Sequence, residues 1–337
     1  MQAKGQWAVG IILAVVLSGS LTLKAQRPTP PQATAPPIRV EVELVNVAFS
    51  VMDKRNRFVL GLGPDDFTVF EDGIRHEVKF FSAETNMPLR IGLVIDTSNS
   101  IRPRFQFEQE AAIDFLFTII RPERDRGFVI GFDAAPALVQ DFTDDPQELA
   151  DAIRSLRAGG GTALYDAVYL ACKMKLVEGS PDEVRKMMIL LSDGNDNSST
   201  VTREEAIEMA RRAGVSIFTV STNSPPTEHK DARYLQDPCK YMATHGDKVL
   251  ERFAEATGGR SFCPFNPLDV GYTFQKLADQ LRHQYTLAYS PTNRQRDGRY
   301  RVIEIRTRRE DLRVFHRPGY YAPTASQQQP VTPNGPD

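Results

Sequence analysis

The sequence predicts an α/β fold: a doubly wound, mostly parallel sheet with helices on both faces, inserted in a small β-sandwich built from N- and C-terminal segments. Three observations carry this. Between Arg90 and His283, continuous apolar runs alternate with stretches whose apolar residues recur at helical spacing. On either side of that region the pattern changes to the alternation of half-buried strands. Neither flanking segment alone has enough strands for an independent sandwich, whereas together they do.

Residues 1–25 contain Lys4, an unbroken apolar run of eleven residues from Trp7 to Leu17, and then Ser18-Gly19-Ser20. Eleven helical residues cross only about half of a ~30 Å hydrocarbon core. The segment is therefore expected to be a signal peptide cleaved after Leu23-Lys24-Ala25, with an uncleaved membrane tether as the alternative. No Cys lies near the cleavage region, which argues against a lipoprotein anchor. The expected location is exported, periplasmic or extracellular. Residues 26–38 are a linker whose stretch RPTPPQATAPP holds five prolines and too few apolar side chains to pack.

Residues 39–87 are expected to form the first part of the sandwich, with strands at Val40–Leu44, Val45–Met52, Phe67–Phe70 and Val78–Phe81. Asp72-Gly73 supplies a hairpin turn. Residues 284–322 form the second part, with strands at Tyr285–Tyr289, Tyr300–Thr307 and Leu312–Phe315. Residues 323–337 are rich in Gln, Pro and Ser and read as a disordered tail.

Within residues 88–283, Ile91–Ile95, Phe128–Phe132, Met187–Leu191 and Val215–Val220 are apolar enough to be parallel strands buried on both faces. The intervening helices show apolar stripes such as Ala112, Phe115, Leu116 and Ile119. Their ends are marked: Asp145-Pro146 and the Thr202/Glu205 capping box start two helices, and Gly214 stops the second.

Composition narrows the function. The 337 residues hold 41 basic and 43 acidic side chains, a net charge of −2, without the basic excess of a nucleic-acid binder. Three Cys exclude a zinc ribbon, an iron–sulfur protein and a disulfide-stapled miniprotein. A doubly wound sheet binds ligands beyond the carboxyl ends of its strands, where Asp96, Asp133 and Asp193 stand. Nucleotide fingerprints are missing, and Gly159-Gly160-Gly161 leads to Thr162 with no Lys to reach a phosphate.

Asp96-x-Ser98-x-Ser100 after the first parallel strand, Gly161-Thr162 before a helix, and Ser192-Asp193-Gly194 after a later strand resemble the three loops of the von Willebrand factor A domain. With Asp66-Phe67 and Glu71-Asp72-Gly73 upstream and Arg317-Pro318-Gly319-Tyr320 downstream, the chain is similar to secreted bacterial proteins carrying the VWFA-related acidobacterial domain. The resemblance implies a Rossmann-like sheet and a metal-ion-dependent adhesion site (MIDAS). Ser98, Ser100 and Thr162 would bind the ion directly, and Asp96 and Asp193 largely through water. All-oxygen ligands suit Mg²⁺ or Mn²⁺, ahead of Ca²⁺. The implied function is non-enzymatic capture of a partner protein through its Asp or Glu side chain. The alternative is a phosphatase-like hydrolase with Asp96 as nucleophile, against which Ser98 stands where a second acid would be needed.

Other residues receive plainer readings. Asp166 should steady the loop after Thr162 by hydrogen bonds. Asp133 is an ordinary strand-end residue, and Asn195 and Asp196 are turn formers. His76, His229, His245, His283 and His316 lack metal spacing and are expected at the surface. Ten Arg and no Lys between Arg282 and Arg317 read as the solvent face of strands. Cys172 continues an apolar helix face as a buried thiol, whereas Cys239 and Cys263 are the pair available for a disulfide in an oxidising compartment.

Overall fold

The structure, a computed structural model, describes residues 44–55, 57–83, 87–176, 184–223, 239, 244–264 and 269–324, all within the second of the chain's two units, Val42–Asp337. Strand β1 (Val45–Asp53) is followed by the hairpin of β2 (Phe67–Glu71) and β3 (Ile74–His76), and then by β4 (Val78–Ser82). Asp72 and Gly73 both take left-handed backbone, φ 49° and 80°, as a two-residue hairpin turn requires.

The chain then builds a second body from β5 (Leu89–Asp96), α1 (Phe105–Ile119), β6 (Arg126–Phe132), β7 (Pro136–Thr143), α2 (Pro146–Ser155), α3 (Leu164–Ala171), β8 (Arg185–Ser192), α4 (Arg203–Ala213), β9 (Ser216–Ser221), α5 (His245–Thr257), β10 (Ser261–Phe262) and α6 (Asp269–Arg282). It returns through β11 (Tyr285–Tyr289), β12 (Tyr300–Thr307), β13 (Leu312–His316) and β14 (Gly319–Tyr321).

Six strands form one sheet in the order β10-β9-β8-β5-β6-β7. All neighbours are parallel except β7, which runs antiparallel to β6. Residues of β5 divide between two cores. Ile91, Leu93 and Ile95 pack with α1, α2 and α6, whereas Val94 packs with α3, α4 and α5. A strand covered on both faces cannot alternate polar and apolar residues, which is why these segments read as unbroken runs. The helix ends are set as their sequence signals require. Asp145 accepts from the Gln147 N–H, Thr202 and Glu205 close a capping box, and Gly214 ends α4 in the left-handed region at φ 67°. β7 was not expected, because this edge strand leaves much of its length exposed and lacks a clean apolar period.

The flanking strands form two four-stranded sheets, β13-β1-β11-β4 and β14-β12-β2-β3, each mixing strands from both ends of the sequence. In the first, β1 lies between β11 and β13, with Phe49 opposite both Tyr285 and His316. Phe49, Phe67, Val69, Tyr285, Ile303 and Ile305 share one core between the sheets. At its edge the Tyr289 hydroxyl donates to the buried Glu71 carboxylate at 2.7 Å.

Two histidines expected at the surface are not there. His76 is buried with Nδ1 3.2 Å from the Ser290 carbonyl, and the Nε2 of half-buried His316 accepts from the Ile305 N–H. Both partners come from other strands, so spacing within the sequence could not reveal them. Cys239 and Cys263 are joined by a disulfide, and Cys172 is a buried free thiol whose ionisation burial suppresses. The signal segment, the linker, most of the Val40–Leu44 strand, His229 and residues 325–337 lie outside the described residues. Among the described residues no helix is long and apolar enough to cross a membrane.

Candidate metal centre at the carboxyl end of the sheet

Central strand β5 ends in Asp96, which is fully buried. Its Oδ1 accepts from the Ser98 N–H at 2.8 Å, turning the chain sharply away from the sheet. Its Oδ2 accepts from the Ser192 hydroxyl at 2.7 Å, tying it to the end of neighbouring β8. That turn places the Ser98 and Ser100 hydroxyl oxygens 2.9 Å apart. Ser98 sits where a helix cap would be but makes no side-chain capping bond, so its hydroxyl is not committed to the following turn.

The second loop is docked on the first. Gly159 N–H donates to the Thr97 carbonyl at 2.6 Å, and the Asn99 side chain donates to the Gly160 carbonyl at 3.2 Å. Gly160 is left-handed at φ 79°, and a Cβ there would lie 2.8 Å from the Asp133 carboxylate, so no larger residue fits. Asp133, read as an ordinary strand-end residue, thus packs against this loop, and its carbonyl also accepts from the Ala163 N–H.

Thr162, buried at the end of that loop, is gripped by the third. Its N–H donates to Asn197 Oδ1 at 2.9 Å, and its carbonyl accepts from the N–H groups of Asn197 and Ser198. One turn further, the Asp166 carboxylate accepts from the Thr200 N–H, the Thr200 hydroxyl and the Val201 N–H at 2.9–3.2 Å. Asp196 does more than form a turn, since its Oδ1 accepts from Ser199, whose hydroxyl in turn receives the Tyr165 and Asp166 N–H groups.

Asp193 is 6% exposed, and its Oδ1 accepts from the Asn195 N–H. Its loop rests on the first turn of α5. Gly194 takes φ 79°, and a Cβ there would lie 2.1 Å from the Gly246 carbonyl oxygen. Asn223, just beyond β9, donates from Nδ2 to the Asp193 carbonyl at 2.9 Å and to Asp247 at 2.8 Å. Asp96, Ser98 and Ser100 are therefore in direct contact, while Thr162 and Asp193 reach the same end of the sheet on loops bonded to one another.

Sequence reasoning missed several positioning residues. Ser192, Asn197, Ser199, Asn223 and Asp247 hold the loops, and Glu108 on α1 is a buried carboxyl whose Oε2 has no hydrogen-bond partner. Ser192 lay inside a motif already noted, and Asn223 at a strand end is a weak signal. Glu108 had none, being one acid among helix residues.

The electrostatics are lopsided. Burial raises the Asp96 carboxyl to about 6 against the lowering effect of the Ser192 and Ser98 bonds, Asp193 adds repulsion, and no basic side chain is among the groups that shift it. Burial raises Glu108 to about 8; Arg104 opposes this, and Asp96 and Asp193 push the same way. Among the described residues no group of three His, Cys, Asp or Glu side chains is gathered as a metal site. A cation here would rest on hydroxyls, and the donors present fit a hard, oxygen-preferring ion rather than a thiolate- or imidazole-preferring one.

Residues 91–249 match the sequence profile of the von Willebrand factor type A domain. A UPF0353 protein of Mycolicibacterium paratuberculosis is 24% identical over 209 residues, 58% of this chain and 61% of that protein, so the match spans less than two thirds of the relative's length. Among solved structures, proximal thread matrix protein 1 from the mussel byssus, with a zinc-occupied MIDAS motif, is 18% identical with a TM-score of 0.47, over 63% of this chain and 50% of its own. BatB from Bacteroides thetaiotaomicron is 16% identical with a TM-score of 0.43, over 57% and 98%.

Proposed function

We propose, from the premise that residues 91–249 are a von Willebrand factor type A domain, that this chain is an exported, metal-dependent protein-binding module rather than an enzyme. The observation that carries the reading is the adjacent Ser98 and Ser100 hydroxyl pair beside a buried Asp96 that no basic side chain among the described residues offsets. Ser98, Ser100 and Thr162 would hold Mg²⁺ or Mn²⁺ directly, with Asp96 and Asp193 acting through water. When bound, a divalent ion supplies an electrophilic position for a partner's Asp or Glu, because the ion's charge dominates the local field.

The chain's own residues prepare that position. Ser98 N–H and Ser192 Oγ fix both oxygens of Asp96, so its charge is oriented before any ligand arrives. Against the hydrolase alternative stands Ser98, which occupies the position where a second acid would be needed. Asn197, Asp166 and Asn223 hold the other loops, limiting the ordering cost of binding. The apolar N-terminal run supports export.

Titration calorimetry with Mg²⁺ and Mn²⁺ tests the reading. Asp96→Ala should abolish binding, Thr162→Ala should weaken it roughly 10-fold or more without altering the fold, and EDTA should abolish capture of an acidic partner from native extract. Capture of equal strength in EDTA and with Asp96→Ala would refute it.

A further inference from the structure

A partly open cavity of about 350 Å³ lies at the opposite, amino end of the parallel strands, between the six-stranded sheet and the sandwich. Seven of its lining residues are Arg or Lys, and none of the described ones is Asp or Glu. The rest of the wall mixes polar side chains with apolar ones, among which Leu44 is exposed and Phe315 half-buried. The Arg-rich C-terminal segment, expected to be a solvent face of strands, contributes Arg294, Arg296 and Arg317 to this wall, and Arg301 is buried against Asp297.

Arg185, at the start of β8, is the informative residue. Its guanidinium donates weakly to the Leu281 carbonyl at 3.4 Å, while Nε and Nη2 are buried with no hydrogen-bond partner. Burial lowers its pKa to about 10, and neighbouring Arg121 adds to the effect. Buried N–H groups left without a partner cost about 1–3 kcal/mol, so a chain gains nothing in stability by keeping them. The Thr286 hydroxyl and the Gln280 side-chain oxygen on the same wall are likewise buried without partners. Guanidinium N–H groups beside a hydroxyl donor are a receptor for an oxyanion. The apolar part of the wall gives the rest of the ligand somewhere to lie, and the volume falls at the small end of ligand pockets.

We infer that this cavity is a second binding site, distinct from the metal centre, for a small amphipathic anion whose carboxylate, phosphate or sulfonate group pairs with Arg185 while its apolar body lies against Leu44 and Phe315. Because the wall is shared by β8, β9 and the sandwich strands β1 and β11, a bound ligand would also brace the two bodies against each other.

The probe is 8-anilinonaphthalene-1-sulfonate, an anion on an aromatic body, titrated by fluorescence into the full chain and competed with octanoate and, separately, with inorganic phosphate. One saturable site, displaced by octanoate at lower concentration than by phosphate, is expected. Arg185→Met should weaken the dye at least 10-fold without lowering the melting temperature in anion-free buffer, because unpaired buried N–H groups have been removed. Arg185→Lys should retain the dye to within about 3-fold, and Thr286→Val should weaken it by a smaller factor than Arg185→Met. Asp96→Ala should leave dye binding unchanged. A lowered melting temperature for Arg185→Met together with undiminished dye binding would overturn the proposal, showing the guanidinium to be paired within the chain. Failure of octanoate to displace the dye would also overturn it.

Discussion

At the carboxyl end of the parallel strands, the buried carboxyls of Asp96, Asp193 and Glu108 share a region in which, among the described residues, Arg104 offsets Glu108 and no basic side chain offsets Asp96. At the amino end, half-buried Arg185 keeps Nε and Nη2 without a hydrogen-bond partner, in a cavity whose described lining holds seven basic residues and no acid. The two ends also differ in how they are held. Hydrogen bonds that cross between three loops fix the acidic end, whereas the basic end is walled by strands from two bodies. Buried polar groups left without a partner or a counter-charge lower stability, and each end of this sheet keeps some. The carboxyl end is thus suited to a cation and the amino end to an anion.

The largest effect expected at the acidic end comes from its backbone. Gly194→Ala would drive a Cβ into the Gly246 carbonyl and force a left-handed alanine, costing more than about 3 kcal/mol in urea denaturation. The same substitution at Gly214, which has open space around it, should cost less. Equal losses would mean that the contact between the Asp193 loop and α5 does not hold the site.

The next effect is electrostatic. Glu108 is raised to about 8 by burial, so its neutral form is the one the fold accommodates. Its contribution is complete below its ordinary range near 4.5 and is lost as pH rises through about 8. Metal-free protein should therefore lose up to roughly 3–4 kcal/mol of stability between pH 5 and pH 8, at about 1.36 kcal/mol per pH unit for a carboxyl raised this far. Glu108→Gln should flatten much of that slope in denaturation at the two pH values. An unchanged slope would place the imbalance elsewhere, with Asp96 the remaining candidate.

A smaller loss is expected for Asp166→Ala, about 1–2 kcal/mol for the acceptors removed from Thr200 and Val201, with metal affinity weakened because the third loop loosens. Metal affinity unchanged by that variant would show Asp166 to be irrelevant to the site. At the far end of the scale, Arg306→Met removes an exposed pair with Glu304 outside both sites. It should change neither dye binding, metal binding nor melting temperature.

Much of the fold was legible because its strands are of two kinds. Strands buried on both faces, such as Ile91–Ile95, are unbroken apolar runs, while Tyr300–Thr307 alternates strictly with its burial. The metal-centre candidates stood out because three short motifs followed strands in order. What could not be read was whatever depends on distant segments meeting. β7 has too many exposed positions for a period. His76 finds its carbonyl 214 residues away. The basic cavity gathers Arg185, Arg211 and Arg294 from three separate stretches, none of which is unusual alone.

The placing of β1 between β11 and β13 also sets an order of assembly. Phe49 cannot meet Tyr285 or His316 until those residues have been made, whereas the six-stranded body can close as soon as α6 emerges. Whereas β2 and β3 pair at once in their hairpin, β1 waits for both its neighbours through the synthesis of more than two hundred residues. Closure of so long a loop is slow. Until those partners arrive, β1 is the strand that most needs shelter from aggregation.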